Sequence, residues 1–241
     1  MTADVFNIAK EMPRFRTRAD VEAYLPNIKN ERTRAYVEEV SSLFSHYEGR
    51  EDPIMERLGI ASPSEMTVHY ALKEYFNEQG MFAFVSERWI TPFVEWIGQR
   101  KVLEVMSGAG HIAYALRERG VDIRATDDMT WAERRGWDLL TKVERWDAVA
   151  AVDEFGPDVD IVLMSWPYMD DTAFNVLERL HKVNPLALVV YIGEWGGCTA
   201  DESFFKHFGE IEDDEKFNEA ARKYQHWAGL HDRLYLGRYR E

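Results

Sequence analysis

The sequence predicts an α/β protein: a mostly parallel sheet with an antiparallel last strand, preceded by a helical N-terminal region. Three observations predict it. From residue 101 onward, short apolar runs alternate with segments of helical periodicity. Before residue 100 only helical periodicity is present. A turn with two glycines, Gly108-Ala109-Gly110, joins the first apolar run to the helix that follows it.

The elements follow in chain order. Over residues 19–49, apolar side chains at Leu25, Ile28, Tyr36, Val37, Val40, Leu43 and Phe44 fall at helical spacing and close at Gly49, with Pro26 breaking the first turn. Ser62-Pro63-Ser64-Glu65 is a capping signature for a second helix ending at Gly80. Trp89, Phe93, Trp96 and Ile97 share one face of a third, which stops at Gly98 and is kinked or divided by Pro92. Strands are expected at 101–106, 121–126, 160–165 and 186–193. Helices are expected at 111–119 and 171–183, with an ill-defined stretch from Trp131 to Phe155. The run 184–193 is the most continuously apolar and is expected at the centre of the sheet. Leu234 and Leu236 alternate in a last strand, expected to be antiparallel and on an edge. Residues 1–98 thus form a helical cap or substrate-side region, and 99–241 the sheet domain.

Composition narrows the function. The net charge is −14, with 12 basic and 16 acidic side chains in residues 1–100 against 17 and 27 in 101–241. Such a surface repels phosphate backbones, so a small molecule is expected as partner ahead of nucleic acid. Cys198 is the single cysteine, which excludes an intramolecular disulfide and a cysteine-based zinc site; no metal is expected. No run reaches the length of a membrane span or of a signal-peptide core, so a soluble, cytoplasmic protein is expected.

The stretch 101–127 is a strand, a glycine turn, a helix and a second strand ending at Asp127-Asp128. Gly108 and Gly110 permit a tight turn and close approach of a nucleotide, and the helix from His111 presents free N–H groups. Residues 108–113 also fit the dinucleotide pattern G-x-G-x-x-G/A, so the turn alone leaves NAD and S-adenosyl-L-methionine both open. Three features separate them. Glu104 lies at the end of the first strand ahead of Ser107-Gly108-Ala109-Gly110; this resembles the class I methyltransferase motif, an acid followed by x-G-x-G-x-G, with Met106 where the first glycine belongs. About a hundred helical residues precede the turn, as in many methyltransferases. Asp147-Ala148 resembles the Asp-Ala step after the third strand. The resemblance implies a Rossmann-like class I sheet, Glu104 on the amino group of S-adenosylmethionine, Asp127 or Asp128 on its ribose and Asp147 on its adenine.

A second loop, Ser165-Trp166-Pro167-Tyr168, follows the fourth strand and should face the first across the cleft. It resembles motif IV of amino-methyltransferases, (Asp/Asn/Ser)-Pro-Pro-aromatic, with Trp166 in place of the first proline. Over residues 83–241 the chain also looks like a little-characterised group of methyltransferase-like proteins. The resemblance is carried by Trp166-Pro167, Asp170-Asp171, the run from Tyr191 through Gly193-Glu194 to Gly196-Gly197-Cys198-Thr199, and His231-Asp232-Arg233-Leu234. These readings give a small-molecule methyltransferase, acting on nitrogen or oxygen. Glu194, His231 and Asp170 are its candidate proton acceptors, and Trp166, Tyr168 and Trp195 its acceptor pocket. The alternatives are an NAD-dependent oxidoreductase, and an S-adenosylmethionine protein that cleaves the cofactor or binds it without catalysis.

Overall fold

The structure, a computed structural model, describes residues 79–227 and 230–241, and before them Ala23, Pro26, Glu31, Lys73, Phe76 and Asn77. The helices expected at 19–49 and 62–80 lie almost wholly outside the described residues. The chain groups into two compact units, Met1–Glu78 with Gln225–Leu230, and Gln79–Tyr224 with His231–Glu241. In the first, the buried rings of Phe76 and Trp227 stack at 5.8 Å between centroids.

The second unit carries the sheet. Its first helix, α1 (Glu87–Ile97), opens after an extended Ser86 and closes at Gly98, whose N–H donates to the Val94 carbonyl. Pro92 lies inside this helix without dividing it. Trp89, Phe93, Trp96 and Ile97 form its buried face, as their spacing predicts. Then come β1 (Val102–Val105), α2 (His111–Arg117), β2 (Ile123–Asp127), α3 (Thr130–Arg135), β3 (Glu144–Arg145) and α4 (Ala148–Phe155). They are followed by β4 (Ile161–Ser165), α5 (Thr172–Val183), β5 (Leu188–Gly193), α6 (Glu202–His207), β6 (Phe208–Glu210), α7 (Glu215–Lys223) and β7 (Arg233–Tyr239).

The strand order is β3-β2-β1-β4-β5-β7-β6. The five strands from β3 to β5 are parallel, and β7 is antiparallel to both of its neighbours. β4 therefore occupies the middle position, and the apolar run ending in β5 is interior but one place off centre. The last strand is antiparallel as expected, yet it is not the edge: β6 lies outside it, Phe208 pairing with Tyr239. Residues 102–105 and 161–164 are buried throughout, because helices cover both faces of a parallel sheet. The core lies against α4 and α5 on one side, where Leu103, Val162 and Val189 meet Val152, Val176 and Leu177. On α1, Trp96 stacks on Phe93 and meets the Phe217 ring of α7 edge-on at 5.0 Å.

α4, α6 and α7 each start at an aspartate whose carboxylate accepts backbone N–H groups: Asp147, Asp201 and Asp214. Among the described residues no helix is long and apolar enough to cross a membrane.

Candidate functional site

A cavity of about 460 Å³ opens at the C-terminal ends of the parallel strands, the position at which open α/β sheets hold ligands. The backbone is strained there. Met106 after β1 (φ 55°), Met129 after β2 (φ 66°) and Trp166 after β4 (φ 52°) all adopt the left-handed conformation that side chains disfavour. Such strain concentrates at functional sites. It also explains why the motif has a glycine where this chain has Met106: the position calls for positive φ, and methionine adopts it at a cost.

From β1, Glu104 extends into this cavity while only 1% exposed. Burial pushes its carboxyl up to about 8, against the pull of the Ala113 N–H and the Arg117 charge, and nearby Asp127 adds to the rise. Its Oε2 is buried with no hydrogen-bond partner. Ser107 Oγ and Trp137 Nε1, both of residues lining the cavity, are unpartnered too. Native proteins rarely leave such atoms unsatisfied, and here three of them border one cavity.

Asp127 ends β2 and ties two turns together: Oδ2 accepts the Gly108 N–H at 2.8 Å and Oδ1 the Met129 N–H at 2.7 Å. Burial raises its pKa, and these two N–H groups oppose the rise. Each oxygen keeps a second lone pair for a ligand. Asp128 accepts the Thr130 N–H, and Asp147 caps α4 through Oδ1 at 3.0 Å from both Val149 N and Ala150 N. Ala109 is wholly buried, its carbonyl accepting the Leu140 N–H. Gly108 has room for a Cβ, at ordinary contact distances of 3.8 and 3.9 Å from its nearest neighbours, although its φ of 54° disfavours a side chain. Gly110 does not: a Cβ there would meet Val143 at 2.9 Å and Thr141 at 3.0 Å. The chain's own segment 141–143 thus accounts for this glycine.

Of the expected cofactor residues, Glu104, Ser107, Gly108, Asp127, Asp128, Asp147 and Ser165 line the cavity. Trp166, Tyr168 and Asp170 line it as well. Glu194, Trp195 and His231 are not among its lining residues. The Glu194 Oε1 accepts the backbone N–H of His231 at 2.8 Å, and the His231 side chain is 84% exposed. Trp195 packs on Phe205 and Tyr235, at 4.9 and 5.2 Å.

The β4 loop departs from the motif it resembles in its backbone as well as its sequence. Position 166 sits at φ 52° and its N–H donates to the Ile192 carbonyl at 2.8 Å. A proline satisfies neither condition. The Trp166 indole donates to Asp232 at 3.1 Å, and this fully buried carboxylate also accepts from the Tyr224 hydroxyl.

Sequence reasoning missed Phe82, Trp131 and Trp137, which complete a chain of rings along the cavity wall. Tyr168 stacks on Trp131 at 5.6 Å, Trp131 on Trp137 at 6.4 Å, Trp137 meets Phe82 at 6.0 Å, and Phe82 meets Trp166 at 6.2 Å. The available signal was the crowding of Trp131, Trp137 and Trp146 just after Asp127-Asp128. Burial pushes the Tyr168 phenol up to about 12, so this residue stays a neutral wall of the pocket.

Charge on the lining is one-sided. Glu104, Asp127, Asp128, Asp147 and Asp170 face the cavity, against Arg135 as the one arginine or lysine among its lining residues.

The sheet has the topology of class I methyltransferases: a doubly wound parallel half followed by an antiparallel final strand inserted beside β5. No protein-family model matches the chain, and no curated protein matches it in sequence. Solved structures share the general arrangement at low identity. The TehB-like S-adenosylmethionine-dependent methyltransferase from Corynebacterium glutamicum is 12% identical, with a TM-score of 0.45 over 73% of this chain and 100% of that one. TehB from Haemophilus influenzae gives 12% identity and a TM-score of 0.40, over 70% and 67% of the two chains. The CcbJ methyltransferase from Streptomyces caelestis gives 12% and 0.36, over 64% and 90%. All three scores lie below 0.5, and the assignment of the fold rests on the strand order itself.

Proposed function

We propose that this protein is an S-adenosylmethionine-dependent methyltransferase acting on a small molecule at nitrogen or oxygen. One observation carries the reading: a buried Glu104 oxygen without a partner, in a cavity lined by five acidic side chains against one arginine. A buried carboxylate of this kind fits a cationic donor, which the ammonium of the methionine moiety supplies. Ser107 Oγ and Trp137 Nε1 are donors able to serve the adjoining carboxylate. The spare lone pairs of Asp127 suit ribose hydroxyls, with Asp128 beside it, and Asp147 suits the adenine amino group. NAD fits less well, because its pyrophosphate would bring two negative charges among Asp127, Asp128, Asp147 and Asp170.

Bound there, S-adenosylmethionine supplies a methyl group on a sulfonium centre. The chain's own work is to bind and orient. Asp127 fixes the two turns on which the ligand rests, the aromatic wall shapes the acceptor space, and Asp170, on the same lining, is the carboxylate we assign to take a proton from an N–H or O–H acceptor. The kinship with the methyltransferase-like group that shares the second-half motifs belongs to the same proposal, as does a cytoplasmic setting.

The test is titration calorimetry with S-adenosylhomocysteine and NAD. The sulfur compound is expected to bind and NAD to bind weakly or not at all; binding of NAD alone would overturn the proposal. Ligand-free Glu104 holds its proton up to about pH 8 and must ionise to accept an ammonium. Binding at pH 7 should therefore release about one proton, and affinity should rise as pH climbs toward 8. Glu104→Gln should abolish that proton release and weaken binding by about tenfold or more. Stability moves the other way. The folded chain retains between about pH 4.5 and 8 a proton that the unfolded chain has lost, so the ligand-free protein loses stability as pH rises through that window. Glu104→Gln should flatten this decline, as read by denaturant titration at several pH values.

A further inference from the structure

We infer that the run of rings Tyr168–Trp131–Trp137–Phe82–Trp166 is a subsite for a flat, positively charged nitrogen heteroaromatic, the acceptor or the methylated product of the reaction. The inference rests on the methyltransferase reading for its place in catalysis, but its physical basis is separate.

Each neighbouring pair in the run lies 5.6 to 6.4 Å apart, and all five residues line the one cavity. The rings come from four separate parts of the chain: Phe82 from the segment before α1, Trp131 from α3, Trp137 from the turn after it, and Trp166 with Tyr168 from the β4 loop. No periodicity of a single element produces such a wall. Tyr168 is 48% exposed and Phe82 38%, so large apolar faces remain open. Exposed aromatic area of this kind is costly unless a ligand covers it.

Shape and charge then specify the ligand. Ring faces offer stacking to a planar partner, and their quadrupoles attract cations. Asp128 and Asp170 line the same cavity, and the charges of Arg134 and Asp128 both reach Tyr168, the arginine lowering its pKa and the aspartate raising it. Arg134 and Arg135 sit over the Trp131 ring at 5.2 and 5.1 Å, the contact a flat cation makes with an aromatic face, and a cationic ligand would take their place on it. An aliphatic ammonium would leave the stacking unused, and a neutral arene would make no use of the acidic lining.

The test uses three probes at fixed low salt: N-methylquinolinium (flat and cationic), naphthalene sulfonamide (flat and neutral) and N,N-dimethylpiperidinium (cationic, not flat). Binding is read by tryptophan fluorescence quenching and by calorimetry, with and without saturating S-adenosylhomocysteine. N-methylquinolinium should bind about tenfold or more tighter than either of the others, and more weakly as salt rises. Trp131→Ala should lose about tenfold of that affinity and Trp131→Phe should recover most of it, with circular dichroism confirming the fold of each. Equal binding of the three probes would overturn the inference. So would competition between N-methylquinolinium and S-adenosylhomocysteine, which would give the rings to the adenine. If N-methylquinolinium binds in this pattern and S-adenosylhomocysteine does not bind at all, the subsite stands and the methyltransferase reading falls; the reverse result overturns the subsite alone.

Discussion

The turn after β1 and the turn after β5 are made of the same materials: an acid, glycines and a hydroxyl. At the end of β1 and just beyond it these are Glu104, Ser107, Gly108 and Gly110; at the end of β5 and just beyond it they are Gly193, Glu194, Gly197 and Thr199. In sequence both read as ligand-binding turns, yet the first is chemically open and the second closed. Glu104 Oε2 and Ser107 Oγ are buried without partners. Thr199 Oγ1 instead accepts the Glu194 N–H at 2.9 Å, donates to the Glu194 carbonyl at 3.1 Å and bonds the Tyr191 hydroxyl. Glu194 Oε1 is occupied by the His231 N–H. The difference teaches that residue type marks a candidate turn, whereas unspent hydrogen-bonding capacity marks the one that needs a ligand. The Tyr-x-Gly-Glu…Gly-Gly-Cys-Thr run is then accounted for as a turn at the end of β5 whose acid and hydroxyl are satisfied from within, with Cys198 its one residue on the cavity lining.

The largest expected effect comes from pressing the motif resemblance onto the β4 loop, whose backbone is tied to the end of β5. Trp166→Pro would introduce a proline at the position where the motif this loop resembles has one. Here it should destabilise the protein by about 3 kcal/mol or more, because proline cannot take φ 52° and has no N–H for the Ile192 carbonyl. Denaturant unfolding checks this; a stable variant with unchanged ligand binding would mean that the loop takes another conformation.

That expectation marks where the sequence was readable and where it was not. β1, β4 and β5 were legible because strands buried on both faces are nearly continuous apolar runs, and β2, Ile-Arg-Ala-Thr-Asp with Arg124 exposed, was legible from its place after the glycine turn and its helix. β3 spans two residues and β6 three, too short for a period, so the outer β6 went unseen and β7 was expected on the edge. α7 buries only Phe217 and Ala220, and its polar sequence hid it. In the site, residues immediately after strand ends were legible because a parallel sheet brings those ends together. Phe82 and Trp137 were not. The segment carrying Trp137 folds back over the glycine turn through the Leu140 N–H to the Ala109 carbonyl, a tertiary contact with no local signature. The closed state of Glu194 was equally hidden, since its partner His231 is 37 residues away.

An intermediate effect should come from the closed turn. A Cβ on Gly193 would lie 2.4 Å from the Tyr191 hydroxyl and 2.5 Å from Thr199 Oγ1, both fully buried. Gly193→Ala should therefore cost about 2 kcal/mol by overpacking, while the folded fraction keeps its affinity for S-adenosylhomocysteine. Denaturation and calorimetry on the same sample separate the two readouts. Lost affinity with unchanged stability would place this turn in the ligand site and erase the contrast.

The smallest effect should come from the acid that most resembles a catalytic one. Glu194→Gln keeps an oxygen to accept the His231 N–H at nearly the same place, and removes only a charge whose side chain is 13% exposed. The imidazole of His231 approaches that carboxylate to 3.9 Å and is itself mostly in solvent, so their ion pair is weak. Stability should change by less than about 0.5 kcal/mol, and S-adenosylhomocysteine affinity by less than about twofold. The corresponding Glu104→Gln change, one isosteric atom replaced at an acid with an unpaired oxygen, is the matched control. A turnover loss of tenfold in Glu194→Gln with cofactor affinity intact would show that Glu194 reaches the reacting atoms. The difference between the two turns would then be one of role rather than of hydrogen-bond closure.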